Sequence, residues 1–151
     1  MQSSTGQAVI RNAETRDYPT IASLLKTVKL PLDGVEENLS NFLVLSRGEE
    51  IFGTVGLEIY GDKALLRSLA VVPQEQGKGY GIRLYQAIIR KAQEQDVAEI
   101  YLLTETVEKF FAALGFEKIP REIVDERVKT SVEFQSACPE SAACMSLKLL
   151  Y

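Results

Sequence analysis

Apolar and polar positions change period several times along this chain, and the changes predict an order of elements. Ala8-Val9-Ile10-Arg11 is a short apolar run that predicts a first strand. From Asp17-Tyr18-Pro19 onward Ile21, Leu24, Leu25 and Val28 recur at helical spacing, with Asp17 as N-cap and Pro31 as the stop. Three strand-like runs follow, Asn41 to Ser46, Ile51 to Tyr60 and Lys63 to Val72, parted by Arg47-Gly48-Glu49-Glu50 and by Gly61-Asp62. That is the pattern of an antiparallel meander. A helix from Gly81 to Gln95, a strand from Glu99 to Thr104 and a helix from Val107 to Leu114, closed by Gly115, come next. In the tail the pattern predicts a short helix over Arg121 to Val128, the segment Val132 to Phe134, a turn through Ala137 to Ser141 and a last strand Ala143 to Leu150. One α/β domain over residues 8–151, behind a flexible N-terminus of residues 1–7, is the expected organisation.

Composition removes several classes of function. With no histidine, the chain cannot supply a Ser-His-Asp or Cys-His site, a His-ligated zinc or an imidazole pH switch. Two cysteines cannot complete an all-cysteine zinc site, so no metal is expected, and without a signal peptide they point to a reducing, cytoplasmic setting. A net charge of -4 carries no footprint of nucleic-acid binding. No apolar run approaches the roughly 18 residues that span a bilayer, so no membrane partner is expected.

The chemistry is concentrated in Leu69-Ala70-Val71-Val72-Pro73-Gln74-Glu75-Gln76-Gly77-Lys78-Gly79-Tyr80-Gly81-Ile82, where an apolar strand runs through alternating glycines into an amphipathic helix. Glycine allows close backbone approach and positive φ, while the unpaired amides and positive dipole end of the helix attract an anion. The spacing is not that of the dinucleotide fingerprint, because Gly77-x-Gly79-x-Gly81 lacks the two-residue gap before its third glycine. Nor is it a P-loop, since Val72 stands where the first glycine belongs and Gly79 follows Lys78 where Ser or Thr belongs. A coenzyme pyrophosphate is the natural ligand, with Lys78 and Arg83 either meeting its phosphates or simply solvated.

Gln76-x-x-Gly79-x-Gly81 on a strand-loop-helix, preceded by Leu69-Ala70-Val71 and followed by Phe110-Phe111-Ala112-Ala113-Leu114-Gly115-Phe116, resembles the GNAT superfamily of N-acetyltransferases. Leu102-Leu103-Thr104, Phe110-Phe111 and Cys138-Pro139-Glu140-Ser141-Ala142 are similar to a narrower group, which holds arsenic-resistance N-acetyltransferases and the acetyltransferase domain of N-acetylglutamate synthases. The resemblance implies a mixed central sheet that splays at the acetyl-CoA site. It further implies loop amides from Gln76, Gly77, Lys78, Gly79, Tyr80, Gly81 and Ile82 on the pyrophosphate, and backbone of Leu69 and Val71 along the pantetheine arm. Thr104 and Phe110 are candidate coenzyme contacts, with a plain strand-end hydroxyl and a core ring as the other readings.

Acetyl transfer needs a neutral amine, donors for the oxyanion and a proton for the departing thiolate. The resemblance implies the Val71 N–H as oxyanion donor. Where many relatives carry an acidic tyrosine this chain has Phe111, which leaves water or another hydroxyl such as Tyr60 for that proton. Period-two alternation places Leu65, Arg67, Leu69 and Val71 on one face of a strand. Arg67 stays charged and is a candidate clamp for a substrate carboxylate, or else an ion pair to a neighbouring acid. Glu58 is the best-placed side-chain base, against the reading of a solvated surface carboxylate. Cys138 and Cys144 read as small buried hydrophobes rather than nucleophiles or soft-ion ligands. The expected activity is transfer of acetyl from acetyl-CoA to a small amino-acid-like amine, such as glutamate or an arsenical or phosphinic analogue. A possible homodimer pairs through an open C-terminal edge. The alternative is a non-catalytic acyl-CoA-binding or regulatory module.

Overall fold

The computed structural model describes residues 6–149. The expected frayed N-terminus lies, for residues 1–5, outside the described residues, as does Leu150 at the end of the expected last strand. Strand β1 is Val9–Asn12, helix α1 Tyr18–Thr27, and the meander is β2 (Phe42–Arg47), β3 (Glu50–Tyr60) and β4 (Lys63–Val71). Helix α2 is Tyr80–Glu94, β5 Glu99–Thr104, α3 Glu108–Ala113, β6 Glu117–Lys118 and β7 Ala143–Lys148. They form one mixed sheet in the order β1-β2-β3-β4-β5-β7-β6. Only β4 and β5 run parallel; the other neighbours are antiparallel.

Each face of the sheet is covered because each helix carries one apolar stripe. Leu84, Tyr85, Ile88 and Ala92 of α2 pack on Val55, Leu57, Leu66, Val71, Ile100 and Leu102, with Phe111 and Phe116 closing that core. On the other face Ile21, Leu24 and Leu25 of α1 pack on Phe42, Val44 and Ala70. Gly56 makes the second core possible: a Cβ there would overlap the edge of the Phe42 ring on the neighbouring strand. A smaller cluster of Leu65, Tyr101, Val124, Val128 and Cys144 anchors the tail.

Two features of β4 shape the site. Its parallel pairing with β5 covers only Lys63↔Glu99, Ala64↔Ile100 and Leu65↔Tyr101, whereas β5 stays paired with β7 as far as Thr104↔Ala143. The two central strands therefore part beyond Leu65, and the sheet splays as expected. Second, the β3–β4 register slips between Thr54 and Gly56, and Ser68 takes φ 61, so β4 carries a bulge. The extra residue inverts the alternation. Leu65, Arg67 and Ala70 share the α1 face, while Leu69 and Val71 turn to the α2 face, which corrects the expectation that Leu65, Arg67, Leu69 and Val71 lie together.

Other departures are local. Asp17 makes no side-chain cap for α1; it accepts from Arg11 at 2.8 Å and from the Glu14 amide at 2.7 Å, closing the short turn before the helix. Helix α1 ends at Thr27, followed by Lys29 at φ 63, ahead of Pro31. The expected helix over Arg121 to Val128 is two separate single turns, Arg121–Ile123 and Val128–Thr130, and Val132 to Phe134 leads into a π-helical turn at Glu133–Ala137.

Candidate active site

The glycine loop begins with a single turn, Pro73–Glu75, after which Gly77 and Gly79 adopt φ 82 and 85 and α2 starts at Tyr80. At both positive-φ glycines a Cβ would meet nothing within 4 Å, so backbone conformation and an approaching ligand, not crowding by the protein, call for glycine. The first α2 amide to find a helical acceptor is that of Arg83, to Gly79 O at 3.2 Å. The N–H groups of Tyr80, Gly81 and Ile82 thus point out of the helix start, where the dipole favours an anion.

Side chains fix this loop from several sides. Gln76 Nε2 donates to Val71 O at 2.8 Å, tying the loop to the end of β4. Arg47, which the sequence reading missed, donates to Glu75 at 3.1 Å and to the Tyr80 hydroxyl at 2.8 Å, and lies 4.4 Å over the Phe52 ring. Lys78 also pairs with Glu75, at 3.2 Å, on an otherwise exposed side chain. Phe110 lies 4.0 Å from where a Gly81 Cβ would be, forming a wall beside the loop.

The loop opens onto the gap between β4 and β5. Val72 donates its amide to Phe52 O at 2.9 Å, so strand alternation turns the backbone groups of Leu69 and Val71 away from β3, the Val71 carbonyl toward Gln76 and the Val71 N–H toward the gap. At the far side of the opening, Thr104 accepts from the Val107 amide at 3.1 Å and stabilises the entry to α3. Phe111 is buried, in edge-on contact with Phe110 and Phe116 at 5.1 and 5.4 Å, and belongs to the core.

On the α1 face below this gap lies a buried charged cluster. The Arg67 side chain is 0% exposed and donates from Nη1 to Glu58 at 2.7 Å, from Nη2 to Pro31 O at 3.2 Å and from Nε to Ser68 Oγ at 3.1 Å. Glu133 of the tail lies 3.3 Å from Arg67 Nε. Glu58 is 2% exposed and also accepts a short bond from the Tyr60 hydroxyl, so it is not the surface carboxylate that its sequence context allowed. Gly34, at φ 83, lets the loop after α1 close over Arg67, Glu58 and Val132. Of the two readings of Arg67, the ion pair to a neighbouring acid is the one its contacts form.

Burial pushes the Glu133 carboxyl up to about 7, with Arg67 opposing and Glu58 adding to the rise. Burial, and the hydrogen bond to Glu58, lift the Tyr60 phenol to about 12, so it keeps its proton at neutral pH. Cys138 is pushed up to about 12 by burial and by Glu133, and Cys144 to about 11 by burial. Neither thiol has the thiolate character of a nucleophile.

Among the described residues no cluster of His, Cys, Asp and Glu is arranged to hold a metal, and no helix is long and apolar enough to cross a membrane. A groove of about 500 Å³ between β1 and α2 is lined by residues including Arg11, Arg83, Arg90 and Lys91, but none of the residues from Leu69 to Ile82 lines it. It is open and basic, and is separate from the splayed strands.

A family model for the acetyltransferase (GNAT) domain matches residues 38–118. The chain is 31% identical over 141 residues to the protein YwlB of Bacillus subtilis, covering 90% of this chain and 94% of that one. It is 30% identical over 117 residues to an amino-acid acetyltransferase of Neisseria meningitidis, covering 72% of this chain; the chain spans only 27% of that relative's length. Among solved structures, the N-acetylglutamate synthase of Neisseria gonorrhoeae complexed with coenzyme A and N-acetyl-glutamate superposes with a TM-score of 0.82 at 25% identity, over 97% of this chain and 36% of that one.

Proposed function

The chain belongs to the GNAT acetyltransferase family, and on that premise we propose that it moves acetyl from acetyl-CoA to the amine of a small, carboxylate-bearing acceptor of amino-acid type. One observation carries the reading: a glycine loop leads into a helix whose first amides, of Tyr80, Gly81 and Ile82, stay free of helical acceptors beside the gap between β4 and β5. In this reading the Gln76–Ile82 amides, with Lys78, hold the diphosphate. The backbone of Leu69 and Val71 lines the pantetheine arm, and Phe110 and Thr104 flank its path.

At the reacting end the Val71 N–H receives the charge that develops on the thioester oxygen. Glu58 takes one proton from the acceptor ammonium. The freed nitrogen lone pair then attacks the thioester carbon, the carbon–sulfur bond breaks, and the thiolate leaves with the electron pair and collects the second nitrogen proton through water. With Phe111 apolar and Tyr60 holding its proton up to about 12, no side-chain acid is required for a leaving group that is stable as a thiolate. Arg67, enclosed and engaged by Glu58, Pro31 and Ser68, holds Glu58 in place beneath the acceptor rather than meeting its carboxylate directly.

Glutamate and its arsenical or phosphinic analogues are the first acceptors to try. The relatives named amino-acid acetyltransferase and N-acetylglutamate synthase support that choice. Two unpaired thiols suit a reducing cytoplasm. The two-residue β6, which covers only Ser146 and Met145 of β7, leaves an edge along which a second copy could pair. A thiol-release assay over the standard amino acids and phosphinate analogues tests the central reading. Release is expected with at least one α-amino acid, and tight acetyl-CoA binding with no release by any amine contradicts transfer.

A further inference from the structure

Among the described residues Arg67 pairs with both Glu58 and Glu133, at 2.7 and 3.3 Å, and all three side chains are nearly or fully enclosed. Ionising both carboxylates around one guanidinium would leave a net negative charge away from water, so a single bound proton restores neutrality. The two acids are not equivalent hosts for it. Glu58 receives both Arg67 Nη1 and the Tyr60 hydroxyl, whereas the Arg67 Nε–H opposite Glu133 is directed to Ser68 Oγ. Geometry leaves Glu133 the less satisfied carboxylate.

We propose that Glu133 is a positioning residue of the acceptor site, whose gain or loss of one proton decides whether Arg67 neutralises Glu58 alone or shares its charge between two carboxylates. The inference rests on the reading of Glu58 as the acceptor of the amine proton. The groups facing Glu133 are Arg67 from β4, Glu58 from β3 and the Cys138 thiol from its own segment; the thiol, held protonated, is a hydrogen-bond partner rather than a charge. That Glu133 titrates near 7 agrees with a proton exchanged at neutral pH. When Glu133 is neutral, Glu58 faces an undivided cation and takes the amine proton poorly. When Glu133 has released its proton to water, Glu58 accepts the amine proton readily and returns it to solvent after transfer. Sequence pattern could not have shown this, because Glu133 lies outside any periodic segment.

The test needs no substrate at first. Carbon-13 NMR of the side-chain carboxyls in the full chain, over pH 5 to 9, should show Glu133 titrating near neutrality and the Glu58 resonance moving in the same step. Glu133→Gln should remove that step from Glu58, while Glu133→Asp should keep it. A Glu58 resonance that ignores the step, or behaves alike in wild type and Glu133→Gln, overturns the inference. With L-glutamate as acceptor probe, thiol release should rise about tenfold per pH unit below the step in wild type and lie flat in Glu133→Gln, with acetyl-CoA KM unchanged. A merely structural role would lower the rate without moving the profile. No release by any amine, with the joint titration intact, would remove the acetyl-transfer reading and leave the charge sharing standing.

Discussion

Replacing Glu133 by Gln should change how stability depends on pH, by an amount the structure sets. The carboxyl rises from an ordinary 4.5 to about 7 in the folded chain, burial being the main cause. A raised acid binds its proton more tightly when folded, so its contribution is complete below about 4.5 and is lost as pH climbs through about 7. At about 1.4 kcal/mol per unit, the loss over that window is about 3 kcal/mol. Glutamine keeps the shape and hydrogen-bonding capacity without the charge and removes this dependence. Urea unfolding of both proteins between pH 4.5 and 8 measures it, because the difference between the two curves cancels the titrating groups that do not face Glu133. Wild type should lose about 3 kcal/mol more than the variant across the window, equivalent to roughly 2–4 °C in Tm per kcal/mol for a chain of this size. Parallel curves would refute the argument that Glu133 is buried beside a cation already engaged by Glu58.

Three further outcomes follow from the packing. Gly79→Asp puts a side chain and a negative charge into the open space before α2 and should lower coenzyme affinity at least tenfold in calorimetric titration while the fold, by circular dichroism, persists. Arg67→Ala strands two buried carboxylates and should lower unfolding stability by about 3–5 kcal/mol at pH 8, less at pH 5, which denaturant melts at the two pH values would reveal. Gly56→Ala drives a methyl into the Phe42 ring and should destabilise by about 1–3 kcal/mol without altering coenzyme affinity in the folded fraction.

The order of elements was readable because each has its own period: the meander, the stripe of α2 and the strand Glu99–Thr104 announce themselves locally. The loop was readable because alternating glycines at a strand-to-helix junction have few structural uses. The face of Arg67 was not readable. A serine at φ 61 leaves no mark in the residue pattern, yet this one bulge moves Leu69 and Val71 to the other side of the sheet. Arg47 was invisible for a different reason, since its partners Glu75 and Tyr80 are 28 and 33 residues away and meet it through the registers of β2 on β3 and of β3 on β4. Glu133 escaped notice because its segment folds as isolated turns held by Arg67 and the tail cluster, with no repeating pattern to flag a buried acid.

Whether amides between Gln76 and Ile82 cradle the coenzyme diphosphate can be read from an amide NMR titration with coenzyme A. Gly77, Gly79, Tyr80, Gly81 and Ile82 should shift strongly and together, with Leu69 and Val71 following along the gap. Unmoved loop amides, with the shifts gathered at Arg11, Arg90 and Lys91 in the basic groove between β1 and α2, would contradict it.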